Sequence, residues 1–539
     1  MKNYIFISSG FLLSMLLLPG CQNSNVKTTK YIMPENTRTV EFDYNRKAQV
    51  MHSFGASDCW SVQFTGLWPE EKRQRMAELL FSKEFDSDGN PKGIGLSMWR
   101  FNIGSGSVES AEESGICHTW RRAECFMNPE GNFDWDKHKG QRWFLDAAKR
   151  HGVEYTLGFS ISAPYFISKN GLCRADQPIY ANIEDDKYKD YAHFMAQVCK
   201  ELEFDYISPI NEPQWDWTGC SQEGMPATNK ECSRLIYYLD DELQKLKSDT
   251  KIIFGESGDI RYLMRSNTDK DKRDNQIAEV FSDKGEFSVY ELNSFKPVVS
   301  GHSYWSTWPL DTLVNTRLEL ANKIKESLPE NYSYWQTEFC PMEQNPDNPN
   351  GGHKRDRTMN TALYVGRIMH YDIIAANATS WQSWTAISPN DYKDGLIFLD
   401  DGTCEGVSSG SEPMFESCKI DGEFRDSKLL WSLGNYSLFI RPGMQRLDNP
   451  SDINYIEDAK SLMSSSYIDE KNKSFVAVYT NISNDSIGVN LKVQNLPKSF
   501  KMDSFKMYET SEYKDLEFIA NVSQEFVIPP KSVVTIINK

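Results

Sequence analysis

The sequence predicts an α/β protein made of a (β/α)8 TIM barrel with an appended antiparallel β-sandwich. At 539 residues the chain is too long for one hydrophobic core. Between residues 49 and 440, eight apolar strand-like runs each end in a polar or aromatic tip, and amphipathic helices follow several of them, as a closed barrel requires. Residues 441–539 instead show short alternating runs separated by turn residues, which is typical of an antiparallel sandwich.

The N-terminus predicts a targeting segment and not part of the fold. Lys2 supplies positive charge, residues 4–18 are mostly apolar, and Leu-Pro-Gly precedes Cys21. This pattern resembles a bacterial lipoprotein signal (1–20), cleaved before Cys21, whose thiol would carry the lipid. An ordinary secretory signal is the alternative. We therefore expect an exported lipoprotein of the outer membrane, on its periplasmic or cell-surface face, with a polar tether at 21–30.

The amino-acid composition indicates which kinds of binding partner the protein can have. The net charge of −17 argues against nucleic acid and against an anionic membrane surface, because both need clustered Lys and Arg. The 14 Trp and 25 Tyr suit either a carbohydrate site or a large core. A neutral glycan is the expected ligand of a monomeric protein.

Cysteine and histidine spacing gives no metal signature, since there is no Cys-x-x-Cys and no paired histidine. We expect neither a metal nor a cofactor. Ten cysteines remain after Cys21, and the short loops between Cys117 and Cys125, Cys220 and Cys232, and Cys404 and Cys418 are candidates for disulfides. The sequence does not determine their connectivity.

The elements follow in order along the chain. Residues 31–48 alternate like strands and are expected to join the sandwich, although they precede the barrel. Helices are predicted at 69–81, 141–150, 188–202, 358–376 and 427–439. The eight barrel strands are predicted at 49–55, 96–103, 155–160, 206–210, 251–254, 297–300, 334–338 and 379–384. Sandwich strands are predicted at 475–479, 489–493, 505–508, 526–528 and 533–537.

Two glutamates end two of the barrel strands. Pro213 has no N–H for a sheet ladder and biases Glu212 away from helical geometry, so the fourth strand stops there. Glu338 ends the seventh strand. Carboxylates at two strand tips lie at the catalytic end of a barrel and suit acid/base and nucleophilic work on a glycosidic bond. Either stretch alone is equally well explained as a loop glutamate.

Other tip residues are candidate partners of this pair or of a sugar. Arg100 could hold Glu338 ionised, with a plain salt bridge as the alternative, and Tyr304 could donate a hydrogen bond to Glu338 or only pack in the wall. Asp58 and His302 are as readily framework residues as substrate contacts. Glu256 is expected to support the two glutamates without contacting the substrate. One or more of five tip tryptophans should stack on sugar rings, with about half of them structural: Trp60, Trp215, Trp305, Trp381 and Trp384.

Eight motifs in consistent order resemble glycoside hydrolase family 30, a family of retaining barrel glycosidases. They are SFGASD (53–58), MWRFNIGSGS (98–107), SISAPYFISKNG (160–171), PINEP (209–213), GHSYW (301–305), WQTEFC (335–340), SWQSWTAISPN (380–390) and SLGNYSLFIRPG (432–443). The resemblance implies that Glu212 is the acid/base, that Glu338 is the nucleophile, and that Asn211 donates to a sugar hydroxyl.

Within this family the aromatic tips and long loops look most like the endo-β-1,6-galactanases. β-1,6-Glucanase and xylanase remain alternatives, although no Arg/Lys cluster is evident in the tip segments for a glucuronate-reading xylanase. The third-strand motif lacks a tryptophan of some relatives, and the long loops leave specificity open. A non-catalytic glycan-binding lipoprotein is the alternative of another class, and a purely structural envelope protein has no need of carboxylates at strand tips.

Overall fold

The computed structural model describes residues 28–219, 221–400, 416–449 and 455–538. The predicted signal segment, Cys21 and most of the tether lie outside these residues. No helix in the described ranges is long and apolar enough to cross a membrane. The first two strands are β1 (Thr37–Asp43) and β2 (Lys47–Val50).

Eight parallel strands close into the predicted barrel. Each strand pairs with the next along the chain, and the last pairs with the first, so the predicted fold class is confirmed. The first barrel strand begins at residue 53 and not at 49, because β2 pairs with a sandwich strand instead. The barrel strands are β3 (Ser53–Ser57), β4 (Met98–Ile103), β5 (Tyr155–Ser160), β6 (Tyr206–Ser208), β7 (Lys251–Ser257), β8 (Phe295–His302), β9 (Ser333–Phe339) and β10 (Ala378–Ser383).

The helices lie around this barrel. The prediction at 188–202 matches α4 in full, and those at 69–81 and 358–376 are each within two residues of α2 and α8. The sequence analysis missed α5 and α7, although Thr228 and Glu231 form a capping box that indicates the start of α5. The α-helices are α1 (Val62–Thr65), α2 (Glu70–Phe81), α3 (Lys139–Arg150), α4 (Tyr188–Leu202), α5 (Asn229–Leu246), α6 (Arg261–Met264), α7 (Leu310–Ser327), α8 (Met359–Ile374), α9 (Lys428–Ser437) and α10 (Tyr455–Asp458).

Apolar side chains fill the lower part of the barrel interior, away from the carboxyl ends of the strands. The site lies at those carboxyl ends. A buried cluster comprises one inward side chain from each of six strands: Met98, Leu157, Tyr206, Ile253, Val298 and Trp335. Because side chains alternate along a strand, Arg100 points inward two residues above Met98. A fully buried guanidinium thus lies one layer above the apolar cluster.

Antiparallel strands follow the barrel. A small sheet contains β11 (Ile387–Ser388), β12 (Ile397–Asp400) and β13 (Glu423–Asp426). The later strands are β14 (Gln445–Leu447), β15 (Leu462–Asp469), β16 (Ser474–Asn481), β17 (Ile487–Gln494), β18 (Phe505–Ser511), β19 (Lys514–Val522), β20 (Glu525–Ile528) and β21 (Ser532–Ile537).

Two sheets share a core of their own, which includes Phe42, Phe475 and Phe526. One sheet has the order β19-β18-β21-β16-β15-β14-β2, and the other has the order β1-β17-β20. The strand β1 runs parallel to β17, and β2 runs antiparallel to β14. All five predicted sandwich strands lie within β16, β17, β18, β20 and β21, whereas β15 and β19 were not predicted.

Two of the candidate disulfides are absent. Cys125 and Cys232 are buried with free thiols, so Cys125 is not bonded to Cys117 and Cys232 carries no disulfide, while Cys220 itself lies outside the described residues. Cys232 lies on the buried face of α5, where it packs in the core and burial raises the pKa of its thiol. Cys404, of the third candidate pair, lies outside the described residues.

Candidate functional site

Glu212 and Glu338 meet at the upper rim of the barrel. One carboxylate oxygen of each, together with a ring nitrogen of His302, lies within 4.8 Å of the others. Both glutamates are nearly buried but line a cleft of about 350 Å³. Two carboxyls at this separation can act on opposite sides of one bond, with one as the attacking group and one as the proton donor.

Local irregularities in the backbone orient the side chains of Glu212 and Glu338 towards the cleft. The pairing of β8 with β9 skips one residue between Gln336 and Glu338, and this bulge turns Glu338 inward, where regular alternation from Trp335 would point it outward. Glu212 has a positive φ of 44°, which is sparsely populated for residues other than glycine and is found at functional sites. A Cβ on Gly258 would lie 3.0 Å from Oε1 of Glu212, so glycine leaves that carboxyl its space.

Arg100 donates hydrogen bonds to the carboxylates from inside the barrel. Its Nη1 donates to Oε2 of Glu338 at 2.6 Å, and its Nη2 donates at 3.0 Å to both Glu256 and Asn211. The guanidinium carbon also lies 3.7 Å from the ring centre of Phe159. Tyr304 donates a second hydrogen bond to Glu338, at 3.1 Å. These donors fix the orientation of the Glu338 carboxylate and compensate its charge.

His302 connects all three glutamates. Its Nδ1 lies 2.8 Å from Oε1 of Glu212 and 3.7 Å from Oε1 of Glu338, and its Nε2 lies 3.1 Å from Oε2 of Glu256. Burial alone would lower the pKa of His302, but the charge of Glu338 and the bonds to the other two glutamates outweigh it and raise the pKa to about 10. The imidazole is therefore protonated at neutral pH, and both ring nitrogens donate.

The remaining two carboxyls are driven in opposite directions. Burial raises the pKa of Glu212, although the His302 bond and charge oppose it. Burial would also raise the pKa of Glu256, but its bond to His302 and the charge of Arg100 lower it to about 2. Environments that separate the pKa values of neighbouring carboxyls are typical of acid/base sites. Glu256 is thus a fixed anion, whereas burial favours the neutral form of Glu212.

The His302–Glu256 pair predicts how stability depends on pH. Because the pKa of His302 is raised, its contribution to the free energy of unfolding is complete below its unfolded pKa of about 6.5 and is lost as pH rises through about 10. The contribution of Glu256 is complete above its unfolded pKa of about 4.5 and is lost as pH falls through about 2. The stability difference between wild type and His302→Gln should therefore be greatest from about pH 4.5 to 6.5.

Urea unfolding across this pH range measures that difference. His353→Gln is the matched control, because His353 is exposed and forms no ion pair with the described residues, and its difference from wild type should not show the loss expected for His302→Gln. A His302→Gln difference that does not shrink between about pH 7 and 10 would contradict an imidazolium at this position.

Aromatic side chains form the walls of the cleft. Trp215 and Trp305 stack on the Glu212 side, with ring centres 6.1 Å apart and planes within 6° of parallel. Trp60 and Trp384 meet edge to face at 5.1 Å in the wall formed by the tips of β3 and β10. Flat aromatic faces on both sides of the carboxyl pair suit the C–H faces of sugar rings.

The structure brings together most of the predicted site residues. Asn211, Tyr304 and four of the five tryptophans line the cleft with the two glutamates. Arg100 and His302 are fully buried and contact the carboxylates, not the open cleft. Arg100 thus lies against Glu338 as expected, and for His302 the structure favours the framework alternative over a substrate contact.

Two predicted substrate contacts lie away from the cleft. Asp58 is fully buried and accepts hydrogen bonds from the backbone N–H of Asn102 and the side chain of Gln141. Trp381 points outward from β10 and donates to Asp372 on α8. These contacts favour the framework role that the sequence left open for both residues.

The sequence analysis also missed several cleft residues. Arg121 lies 4.8 Å from the ring centre of Trp60, and Tyr392 and Asp394 come from the loop after β10. Asp394 accepts hydrogen bonds from Ser388 and Asn390, and burial raises its pKa. Their loops carry no strand pattern, so periodicity gives no signal for them.

The trio Glu212, His302 and Glu338 has ligand atoms close enough to hold a metal ion. An imidazole must be neutral to bind a metal, whereas that of His302 is protonated between the carboxyl groups of Glu212 and Glu256. The Arg100 guanidinium already lies against Glu338. The chemistry of these donors therefore suits proton sharing and not a divalent cation.

Comparison with known proteins agrees with this geometry. A model of the O-glycosyl hydrolase family 30 matches residues 37–398. A conserved exported protein from Bacteroides fragilis is 34% identical, with a TM-score of 0.85 over 93% of this chain and 100% of that chain.

Two more distant structures share the fold. The catalytic domain of the GH30 xylanase C from Talaromyces cellulolyticus is 15% identical, with a TM-score of 0.61 over 93% of this chain and 99% of that chain. An endo-β1,6-glucanase is 14% identical, with a TM-score of 0.60 over 93% of each chain. The family match covers most of the barrel, and the chain therefore belongs to O-glycosyl hydrolase family 30 and is a glycoside hydrolase.

Proposed function

We propose that this protein is a retaining endo-β-glycanase that hydrolyses a neutral polysaccharide by double displacement. The observation that carries this proposal is the separation of Glu212 and Glu338, whose nearest carboxylate oxygens lie within 4.8 Å across an open cleft. Retaining glycosidases hold their two carboxyls about 5–5.5 Å apart, whereas inverting enzymes need about 6.5–9.5 Å to admit a water.

The environments of the two carboxyls assign their roles. Glu338, oriented by Arg100 and Tyr304, attacks the anomeric carbon, and the bond to the leaving oxygen breaks as the glycosyl-enzyme forms. Glu212, whose pKa is raised by burial, gives its proton to that leaving oxygen. In the second step Glu212 takes a proton from water, and the resulting hydroxide displaces Glu338.

His302 and Glu256 have a supporting part in this scheme. The imidazolium of His302 donates to Oε1 of Glu212 and leaves Oε2 available for the transferable proton. Glu256, as a buried anion, keeps the imidazole protonated in both steps. The positive charges of Arg100 and His302 thus offset the negative charge that moves between Glu338 and Glu212.

The substrate we propose is β-1,6-galactan, as in arabinogalactan side chains. The tryptophan-lined walls supply faces for successive sugar rings, and the net charge of −17 favours an uncharged polymer. β-1,6-Glucan and xylan are the competing substrates, because structures with those activities share this fold.

We also propose that the protein is exported and anchored by a lipid on Cys21. The Lys2-led apolar stretch and the Leu-Pro-Gly-Cys sequence support this, and so does the description of the Bacteroides fragilis relative as an exported protein. Replacing Cys21 by serine should release the protein from the membrane fraction, and unchanged membrane association of that variant would contradict a lipid anchor.

One experiment tests both reaction and substrate. The purified protein is incubated with β-1,6-galactan, β-1,6-glucan and xylan while proton NMR follows the anomeric signals in the first minutes and chromatography records product lengths. We expect oligosaccharides from the galactan, with the β-anomer appearing first. An α-anomer appearing first would contradict the retaining geometry. No release from any of the three, with binding retained, would favour the non-catalytic glycan-binding alternative.

A further inference from the structure

A second cavity, of about 510 Å³, lies where loops at the carboxyl end of the barrel meet turns of the sandwich. Two side chains come from the turns next to β16 and β21, namely Ile482 and Lys531. The other lining residues come from the loop after β9, from α8 and from the loop after β10. We call it the basic cavity because five basic side chains line it, against two acidic ones: Lys354, Arg355, Arg367, Lys393 and Lys531.

The charge at Lys393 has no close ion pair among the described residues, and only the longer-range attraction of Asp356 acts on it. This lysine is only 8% exposed, and its ammonium donates to the amide oxygen of Asn348 at 2.6 Å. Among the described residues, no carboxylate lies within the 4.0 Å of an ion pair with it, and burial lowers the pKa of Lys393 despite the attraction of Asp356. A buried charge without an opposite charge in direct contact is costly, and a bound ligand can supply that contact.

Arg367 is also incompletely paired. Its guanidinium is 5% exposed and forms an ion pair with Asp347, but its Nε has no hydrogen-bond partner within the described part of the chain. Lys354 and Lys531 are exposed and form no ion pair with the described residues. By contrast, Arg355 donates to the backbone carbonyls of residues 389, 390 and 399, so it is a framework residue.

These observations point to a ligand with negatively charged oxygens. We propose that the basic cavity binds an oxyanion group, a carboxylate or sulfate that is either carried by a sugar or free in solution. Lys393 and Arg367 would bind the charged oxygens, and Lys531 would approach from the sandwich side. The side chains of Asn350 and Asn360 line the same space and offer hydrogen bonds to hydroxyl groups. The basic cavity is thus a positively charged region on a protein whose net charge is −17.

The basic cavity shares a wall with the cleft that holds Glu212 and Glu338. His353 and Tyr392 pair as an antiparallel bridge and line that cleft, whereas their chain neighbours Lys354 and Lys393 line the basic cavity. Two backbone hydrogen bonds hold this bridge, from Lys393 to Gly352 at 2.8 Å and from Lys354 to Asp391 at 3.0 Å. An anion bound to Lys393 would therefore order a segment that forms part of the other cleft.

Calorimetric titration of the full protein tests the site without any turnover. The probes are sodium sulfate and sodium D-glucuronate at constant ionic strength, with D-glucose as the uncharged match to glucuronate. We expect at least one anion to bind and glucose not to bind at this site. Tighter binding of glucuronate than of sulfate would identify a sugar-borne group, and the reverse order would identify a free oxyanion.

Two variants and a control connect the binding to the cavity. Lys393→Met should weaken anion binding about tenfold or more, as loss of a charge-assisted hydrogen bond does. Lys531→Met, at an exposed position, gives the same test if Lys393→Met does not fold, and it should weaken binding severalfold. Lys325→Met removes one exposed charge far along the chain, on α7, and should leave binding unchanged. Absence of binding for both anions, or equal affinity in all three variants, would overturn the proposal.

Discussion

Replacing Glu338 by glutamine is expected to lower turnover of the preferred glycan by on the order of 10⁴-fold or more, as loss of a nucleophile does. Glutamine keeps the size of the side chain, and its one carbonyl oxygen can still accept from Arg100 or from Tyr304, which donate to different carboxylate oxygens of Glu338. The amide cannot attack the anomeric carbon, so the covalent intermediate does not form. The loss should appear in kcat with little change in KM, because the cleft walls remain.

Two comparisons make this result specific. Glu330→Gln removes the same charge at an exposed position and should keep full activity. Glu338→Ala leaves space beside Arg100 in which added azide can attack, and the product should then be the glycosyl azide of inverted configuration. Near-normal activity of Glu338→Gln, with the fold intact, would remove Glu338 from the mechanism.

The sequence placed the two glutamates at strand tips but did not determine where their side chains point. In β9 the residue skipped in the pairing with β8 turns Glu338 inward, and a bulge has no reliable signal in a single sequence. The proline after Glu212 marked the end of the fourth strand only approximately, because β6 already ends at Ser208. Strand positions were thus predictable from apolar runs, whereas the orientation of the glutamate side chains depended on pairing between strands.

The tryptophans show what strand alternation decides. Trp381 and Trp384 lie three residues apart, so regular alternation puts them on opposite sides of β10. Trp381 indeed contacts Asp372 outside the barrel, and Trp384 lies in the cleft. The period of two therefore contains the information that separates the framework tryptophan of this pair from the cleft tryptophan.

Long-range contacts explain the parts that remained unpredicted. His302 and Glu256 lie 46 positions apart and have ordinary sequence surroundings, yet they meet because β7 and β8 are neighbours in the barrel. Similarly, Lys393 and Arg367 line one cavity although they belong to different elements. No Arg/Lys cluster was evident in the linear tip segments, since its members assemble only in the fold.

Replacing Glu212 by glutamine is expected to lower turnover of the natural glycan by about 10²–10⁴-fold, the usual contribution of a general acid/base. Aryl glycosides with very acidic leaving groups need no proton for the first step, so glycosylation of Glu338 should remain fast with them. The second step still needs a base to activate water. The glycosyl-enzyme should therefore accumulate, and it is measurable as a burst of released phenol and as a mass increase on the peptide that carries Glu338.

The contrast between the two variants decides the assignment. Glu338→Gln should lose activity on the polysaccharide and on the activated aryl glycoside alike, whereas Glu212→Gln should show the burst with the aryl glycoside only. Azide added to Glu212→Ala should restore turnover and give a glycosyl azide of retained configuration, because it replaces water on the face that Glu212 serves. Equal losses on both substrates in Glu212→Gln, without a burst, would exclude Glu212 as the proton donor and leave its raised pKa and its bond to His302 without a catalytic purpose.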